Sequence, residues 1–173
     1  MRPRNRLPII IIAGLLICGC AGVPTAPERP AYGPGSIVAV WNIEDLSPIK
    51  DHQPDLGEFI SGTIIETLEN LCEFRIVERE KLVLALEELN LGSGDLASEA
   101  TQLRVGEILG ARLMVFGAYQ VIGDIVRLDL RLVEVERGLV VKTASNQVAA
   151  SNLDARLKGA EVAAAELCGG QVE

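Results

Sequence analysis

The chain has 173 residues, of which 49% are hydrophobic, enough for one normally packed core. Its 24 Asp and Glu outnumber 16 Lys and Arg, which gives a formal net charge of −8 at pH 7, and no cluster of basic residues follows Arg6. Because polyanion binding requires a positive face that displaces counterions, this composition disfavours nucleic acid as a partner.

The first 19 residues have the organisation of a bacterial lipoprotein signal peptide. Basic residues precede an apolar run from Leu7 to Ile17, which is shorter than the about 20 apolar residues of a membrane-spanning helix. The run ends in a Cys-Gly-Cys sequence at Cys20, which resembles the lipobox, where the chain is cut before a diacylated cysteine. We therefore predict a signal peptide over residues 1–19 and lipidation of Cys20 by palmitate-like acyl chains. A plain secreted protein and an uncleaved N-terminal anchor are the alternatives.

Residues 20–35 are rich in Pro, Gly and Ala and lack hydrophobic periodicity, so we expect a flexible, lipidated tether. Residues 36–173 have the length of one domain, and we expect them to fold as one. Ala21 and Gly22 follow Cys20 in place of the aspartate that retains lipoproteins in the inner membrane of enteric bacteria. This pattern predicts an outer-membrane lipoprotein whose domain faces the periplasm.

The first half of the domain alternates between short apolar runs and helical periodicity. An apolar, β-branched run over 36–41 predicts a strand buried on both faces. Apolar residues then recur every three or four positions over 55–70, which predicts a helix. A second short strand over 74–77 is followed by helices over 78–89 and 98–109, which a Gly-rich stop separates.

The second half of the domain is richer in strands. Apolar or alternating runs over 112–121, 125–135 and 139–149 are separated by tight turns, which predicts three strands joined by hairpins. The middle run alternates leucines with Arg and Asp, as an antiparallel strand with one solvated face does. An Ala-rich final helix over 153–167, capped by Asn152 or Asp154, completes the order β-α-β-α-α-β-β-β-α.

Two cysteines, Cys72 and Cys168, remain after the predicted signal peptide and lipid site. An exported protein lies in an oxidising compartment, which favours one disulfide between them, and two separate buried thiols are the alternative. Cys72 follows the first predicted helix and Cys168 follows the last one, so parallel packing of these helices on one sheet face would bring the two residues together.

We predict no catalytic constellation, cofactor or metal site, and we expect no enzyme activity. His52 is the single histidine of the chain, so a metal centre would lack a second nitrogen ligand, and a solvated loop histidine is the commoner case. Ser61 lies inside a predicted helix and lacks the strand-to-helix elbow of a nucleophilic serine. The Gly-Ser-Gly of residues 92–94 lacks the Lys-Ser/Thr of a phosphate-binding loop.

Trp41 and Tyr119 are the candidate binding residues. Aromatic side chains anchor many binding surfaces, and both residues lie in predicted strands. Aromatic residues in strands belong more often to the core, so burial in the core is the alternative for each of them.

Four motifs occur in order along the domain and together resemble a known family. They are Ile37-Val-Ala-Val-Trp-Asn42, Phe74-Arg-Ile-Val-Glu-Arg79, Leu86-Glu-Glu-Leu-Asn-Leu91 and Leu113-Met-Val-Phe-Gly117. In their order and spacing they resemble the family of the curli secretion lipoprotein CsgG. The resemblance implies a three-layer α/β sandwich with a mixed sheet, close also to the domains of a penicillin-binding-protein activator and of a flagellar outer-membrane lipoprotein.

The resemblance also implies a role in assembly or scaffolding rather than in catalysis. On this basis we expect a lipid-anchored protein that binds an envelope protein partner and assists the assembly or secretion of an envelope structure. Homo-oligomer formation is a further expectation. A subunit of an oligomeric secretion channel is one alternative, although channel subunits insert long amphipathic hairpins and the hairpins predicted here are tight. A small envelope ligand-binding domain or enzyme is the other.

Overall fold

The computed structural model describes residues 32–48, 56–89, 98–149 and 151–169. Cys20, the predicted signal peptide, most of the predicted tether, His52 and the Gly-Ser-Gly of residues 92–94 lie outside these residues. None of the helices that the described ranges contain is both long and apolar enough to cross a bilayer.

The described residues form six strands and four helices in the predicted order, with one short strand added. The elements are β1 (Ile37–Val40), β2 (Glu44–Asp45), α1 (Leu56–Asn70), β3 (Arg75–Ile76), α2 (Arg79–Glu88), α3 (Glu99–Ile108), β4 (Leu113–Ile122), β5 (Ile125–Glu134), β6 (Leu139–Ala149) and α4 (Leu153–Leu167). The addition is β2, whose two acidic residues carry no apolar periodicity from which a strand could be predicted.

The strands form one mixed sheet in the order β3-β1-β4-β5-β6, and β2 pairs with β4. β3, β1 and β4 are parallel, as are β2 and β4, whereas β4, β5 and β6 form antiparallel hairpins. The β4–β5 hairpin turns through Gly123 and Asp124 alone, and Gly123 has a positive φ of 57° that favours glycine there. The predicted α/β class with a mixed sheet is confirmed.

Helices cover both faces of the sheet and make three layers. On one face, α1 and α4 pack against a core that includes Val38 and Val40 of β1. On the other face, α2 and α3 pack against a smaller core that includes Ala39 and the adjacent Trp41. Because successive strand residues point to opposite faces, these two cores explain why the whole of β1 is apolar.

Local sequence accounts for the start of α4 and for its close approach to the sheet. Asn152 caps this helix, since its side-chain oxygen accepts a hydrogen bond from the Ala155 amide at 2.8 Å. Gly159 lets the helix approach β6, where the side chain of Val148 occupies the space that a larger residue would need.

The two ends of the sheet are distinct, and we name them the base and the far end. The base is the end at which β1 and β4 begin, where the amide of Gly35 donates to the Glu73 carbonyl and that of Arg112 donates to the Ile37 carbonyl. The far end is the end at which β1 and β4 finish, and it includes β2 and the β4–β5 hairpin. The chain enters the domain at the base, through Tyr32.

Candidate functional site

A cleft of about 580 Å³ opens at the far end, on the sheet face that α2 and α3 cover only in part. Its floor contains Trp41, which follows β1, and Phe116 of β4. The two rings lie 6.4 Å apart between centroids, in a tilted arrangement that favours aromatic contact. Both residues belong to the smaller core, so the floor of the cleft is continuous with packed interior.

One wall of the cleft is a hydrogen-bonded network on β5 and β6. Arg127 donates two hydrogen bonds to Asp129, at 2.8 Å from Nε and 2.9 Å from Nη2, and the Ser145 hydroxyl donates to the same carboxylate at 2.7 Å. The hydrogen bonds from Arg127 lower the pKa of the Asp129 carboxyl below its usual value, against the opposing effect of partial burial. Asp129 is therefore an ionised acceptor at neutral pH.

A second charged group ties α3 to the sheet beside this wall. Arg131 pairs with Glu99 of α3 at 3.1 Å, and its guanidinium lies 5.3 Å from the centroid of the Phe116 ring. Gln102 of α3 also lines the cleft and is buried. The ion pair and the cation–π contact orient the Arg131 side chain at the edge of the cleft. Because both are partly exposed to solvent, each contributes only a small stabilising free energy.

The opposite rim is built by the β2 segment, which side chains fasten to β4. The Ser47 amide donates to the Asp45 carboxylate at 2.8 Å, and the Ser47 hydroxyl accepts from the Val121 amide at 2.9 Å. These bonds hold Leu46 on the rim, where 52% of its surface is exposed. At the tip of the neighbouring hairpin, Ile122 and Ile125 pair with each other and are 55% and 49% exposed. The rim and the hairpin thus expose three large apolar side chains at this end, next to the exposed residues Glu44 and Asp124.

The structure separates the two candidate aromatic residues. Trp41 lines the cleft, whereas Tyr119 is only 4% exposed and belongs to the larger core on the opposite face, together with helix α1. The two residues therefore do not form one site. Cys72 and Cys168 form a disulfide at the base, away from the cleft.

Sequence reasoning missed the residues that give the cleft its polar wall. The alternation along β5 predicted that Arg127, Asp129 and Arg131 share a solvated face, and this is confirmed. The alternation could not show that α3 covers only part of that face. Because of this partial cover, Ser145 and Asp129 border a cleft rather than open solvent.

The described part of the cleft offers binding groups but no catalytic pair. Ser145 contacts a carboxylate that Arg127 already holds ionised, and no imidazole lies beside it among the described residues. Within residues 32–48, 56–89, 98–149 and 151–169, no group of three or more His, Cys, Asp and Glu could hold a metal ion. Aromatic floor, amide side chains and a charged wall suit recognition of another molecule.

A family model described as "Curli production assembly/transport component CsgG" matches residues 36–123, just over half of the chain. The chain belongs to the CsgG family. The match includes the cleft floor at Trp41 and Phe116, and it ends before the polar wall of Asp129 and Ser145. The residues that match the CsgG family model therefore form one side of the cleft, and the residues of the other side lie beyond the match.

Solved structures with the same fold include two domains and a lipoprotein. The C-terminal domain of LpoB from Salmonella enterica has a TM-score of 0.60 at 17% identity and covers 69% of this chain and 87% of its own. The LpoB C-terminal domain from Escherichia coli has a TM-score of 0.58 at 17% identity, covering 68% and 85%. Lipoprotein GNA1162 from Neisseria meningitidis has a TM-score of 0.53 at 11% identity, covering 65% and 81%. At these identities the likeness shows the fold alone. A search among curated proteins finds no match.

Proposed function

We propose that this chain is a lipid-anchored, non-catalytic interaction protein that faces the periplasm from the outer membrane and assists the assembly or secretion of an envelope structure. Its membership of a family described as an assembly/transport component supports this class of role. The lipobox-like sequence that ends at Cys20 supports the anchor and the location.

The observation that carries the proposal is that the described chain begins at the end of the domain opposite the cleft. Tyr32 lies at the base, and the cleft, with the exposed side chains of Leu46, Ile122 and Ile125 beside it, lies at the far end. A domain that hangs from a membrane by its base presents its far end to the periplasm. That is where a partner in the envelope would meet it.

The chemistry of the far end suits a protein partner. Isolated apolar residues on a surface are ordinary, but apolar side chains that border an aromatic-floored cleft with a polar wall have the composition of an interface core with its rim. The charged groups of the wall already pair with one another, in Arg127–Asp129 and Arg131–Glu99, so a partner can cover them without leaving an unpaired charge.

Site-specific photo-crosslinking in intact envelopes tests this proposal. A photoreactive phenylalanine at Leu46 or Ile122 should cross-link to one discrete partner, whereas the same group at Lys158, exposed on the outer surface of α4, should not. Equal cross-linking at all three positions, or none at the far end, would contradict a far-end interface. Radiolabelled palmitate incorporation into the wild type but not into Cys20→Ser tests the anchor separately.

A small-ligand-binding domain is the second candidate, and the cleft itself favours it. A volume of about 580 Å³ lies in the range of ligand pockets, and Asn42, Gln102 and Gln120 supply neutral donors and acceptors around it. Periplasmic small molecules should then raise the melting temperature of the wild type but not of a Phe116→Ala variant that still folds. No shift with any extract fraction would favour the protein partner.

A further inference from the structure

Apolar side chains are also exposed at the base, where three different elements end or begin. Leu71 follows α1 and is 50% exposed, and Ile108 ends α3 and is 55% exposed. Leu139 and Val140 begin β6 and are 51% and 50% exposed. Topology places all four at one end of the domain, because α1 and α3 finish, and β6 starts, where β1 and β4 begin.

The chain that leads to the anchor is fastened to this same end. The Arg112 guanidinium lies 5.4 Å from the centroid of the Tyr32 ring, and the Gly35 amide donates to the Glu73 carbonyl at 2.8 Å. The Tyr32 phenol is also partly buried at this end, next to Glu134, and both the burial and the carboxylate raise its pKa. The described chain therefore begins at the base, with Tyr32.

The tether alone does not hold the base against a membrane. Eleven residues lie between Cys20 and Tyr32, and the 12 Cα–Cα steps that join the two residues span at most about 40 Å when fully extended. What a connection this short supplies is a high local concentration of the base near the lipid surface. A surface with weak affinity for lipid would then remain in contact with it.

Charge does not by itself provide that affinity. The basic residues Arg75, Arg112, Arg137 and Lys142 lie at the base, but Arg137 pairs with Glu134, and exposed Glu73, Glu107 and Glu136 lie among them. Basic side chains can reach the phosphates from a shallow position while their methylene stems stay in apolar surroundings. The contact must therefore come mainly from the four apolar side chains.

We propose that the base is a membrane-contact surface, in which Leu71, Ile108, Leu139 and Val140 enter the headgroup region of the leaflet that holds the Cys20 lipid. This inference rests on the proposed lipidation of Cys20. It commits the domain to one orientation, with the base on the phospholipids and the cleft directed away from them. A domain that only swings on its tether would show no such orientation.

Depth-dependent fluorescence quenching tests the orientation with the lipidated full chain. The protein is reconstituted into vesicles of phosphatidylethanolamine and phosphatidylglycerol that contain a phosphatidylcholine with a nitroxide near the headgroup. Trp41 is the single tryptophan and lies buried at the far end, so wild-type fluorescence should be little quenched. Leu139→Trp and Ile108→Trp each add a reporter at the base, and Ile122→Trp is the matched far-end control.

The proposal expects the added reporters at the base to be quenched several-fold more than the one at Ile122. Adding Leu71→Asn and Val140→Asn to Ile108→Trp should reduce that quenching. Equal, weak quenching at both ends, in protein that carries the acyl label and stays with the vesicles, would overturn the membrane-contact surface and leave the lipid anchor standing. If the protein sediments as a dimer and the tryptophans at the base are shielded from lipid, the membrane-contact surface is also overturned, and the base is instead an interface with a second copy of the chain. Loss of both label and vesicle association would overturn the anchor and this inference together.

Discussion

The disulfide between Cys72 and Cys168 joins the C-terminal ends of α1 and α4, with the two Cα atoms 5.7 Å apart. The sequence separation of 96 residues means that the bridge closes a loop through most of the domain. Both helices pack on one sheet face, where Leu68 and Leu167 belong to the same core. The bridge therefore ties the first and last helices together at the base, close to the point where the chain enters.

Removing this bridge should destabilise the domain strongly. For the double variant Cys72→Ala with Cys168→Ala, we expect the free energy of unfolding to fall by about 4 to 5 kcal/mol in the chain-entropy model. Urea denaturation of the unlipidated Cys20→Ser protein measures the change, and reductant added to that protein should approach the double variant. Free alkylation of both thiols in freshly prepared periplasmic protein would contradict the bridge.

Substituting the glycine of α4 should disturb the contact of this helix with β6. A Cβ atom placed on Gly159 would lie 2.8 and 2.9 Å from the two γ-methyl carbons of Val148, a β-branched side chain with little freedom to move. Gly159→Ala should lower the free energy of unfolding by roughly 1 to 3 kcal/mol. The matched control is Gly62→Ala in α1, where nothing lies within 4 Å and helix propensity predicts a gain of about 0.5 to 1 kcal/mol. Equal effects at the two sites would show that packing against Val148 is unimportant.

The buried carboxylate at the end of β5 should make stability depend on pH. A hydrogen bond from Arg137 lowers the pKa of Glu134 below its usual value, against the opposing effect of burial. Because this pKa is lower in the folded than in the unfolded protein, the carboxylate stabilises the fold at pH values above the unfolded-state pKa, and that contribution is lost as the pH falls through the folded-state pKa. Glu134→Gln should therefore melt below wild type at pH 7, and the gap should narrow as the pH is lowered through the folded-state pKa. The neighbouring exposed variant Glu136→Gln is the control, and a gap that does not change with pH would refute the ionic contribution.

Replacing the predicted lipid acceptor should release the domain from the membrane. Cys20→Ser removes the only thiol to which the lipobox-like sequence could direct acylation, so we expect loss of acyl labelling and a shift from the detergent phase to the aqueous phase. Circular dichroism should show that the variant keeps its α/β fold. Wild-type protein that partitions into detergent without carrying a label would mean that something other than this lipid holds it.

The amino-acid sequence by itself determined the local elements, because burial leaves a periodicity that can be read along the chain. The bounds of α4 and β6 agree with the prediction, and the alternation of leucine with charge along β5 predicted its solvated face. Strand β2 was missed because its two acidic residues have no hydrophobic period. It forms through pairing with β4 and through the hydrogen bond between Ser47 and Val121, which are non-local contacts.

The tertiary structure decided which residues come together at the far end and at the base. Trp41 and Tyr119 look alike in the sequence, and only the register of β1 and β4 places one in the cleft and the other in the core beneath α1. The cleft exists because α3 covers part of a sheet face and stops short of Asp129 and Ser145, a boundary that depends on how helices pack across the sheet. Apolar residues such as Ile108 and Leu139 likewise share one end of the domain only because of chain direction in three dimensions. Local periodicity reports whether a residue is buried, whereas shape and proximity arise from contacts between residues far apart in the chain.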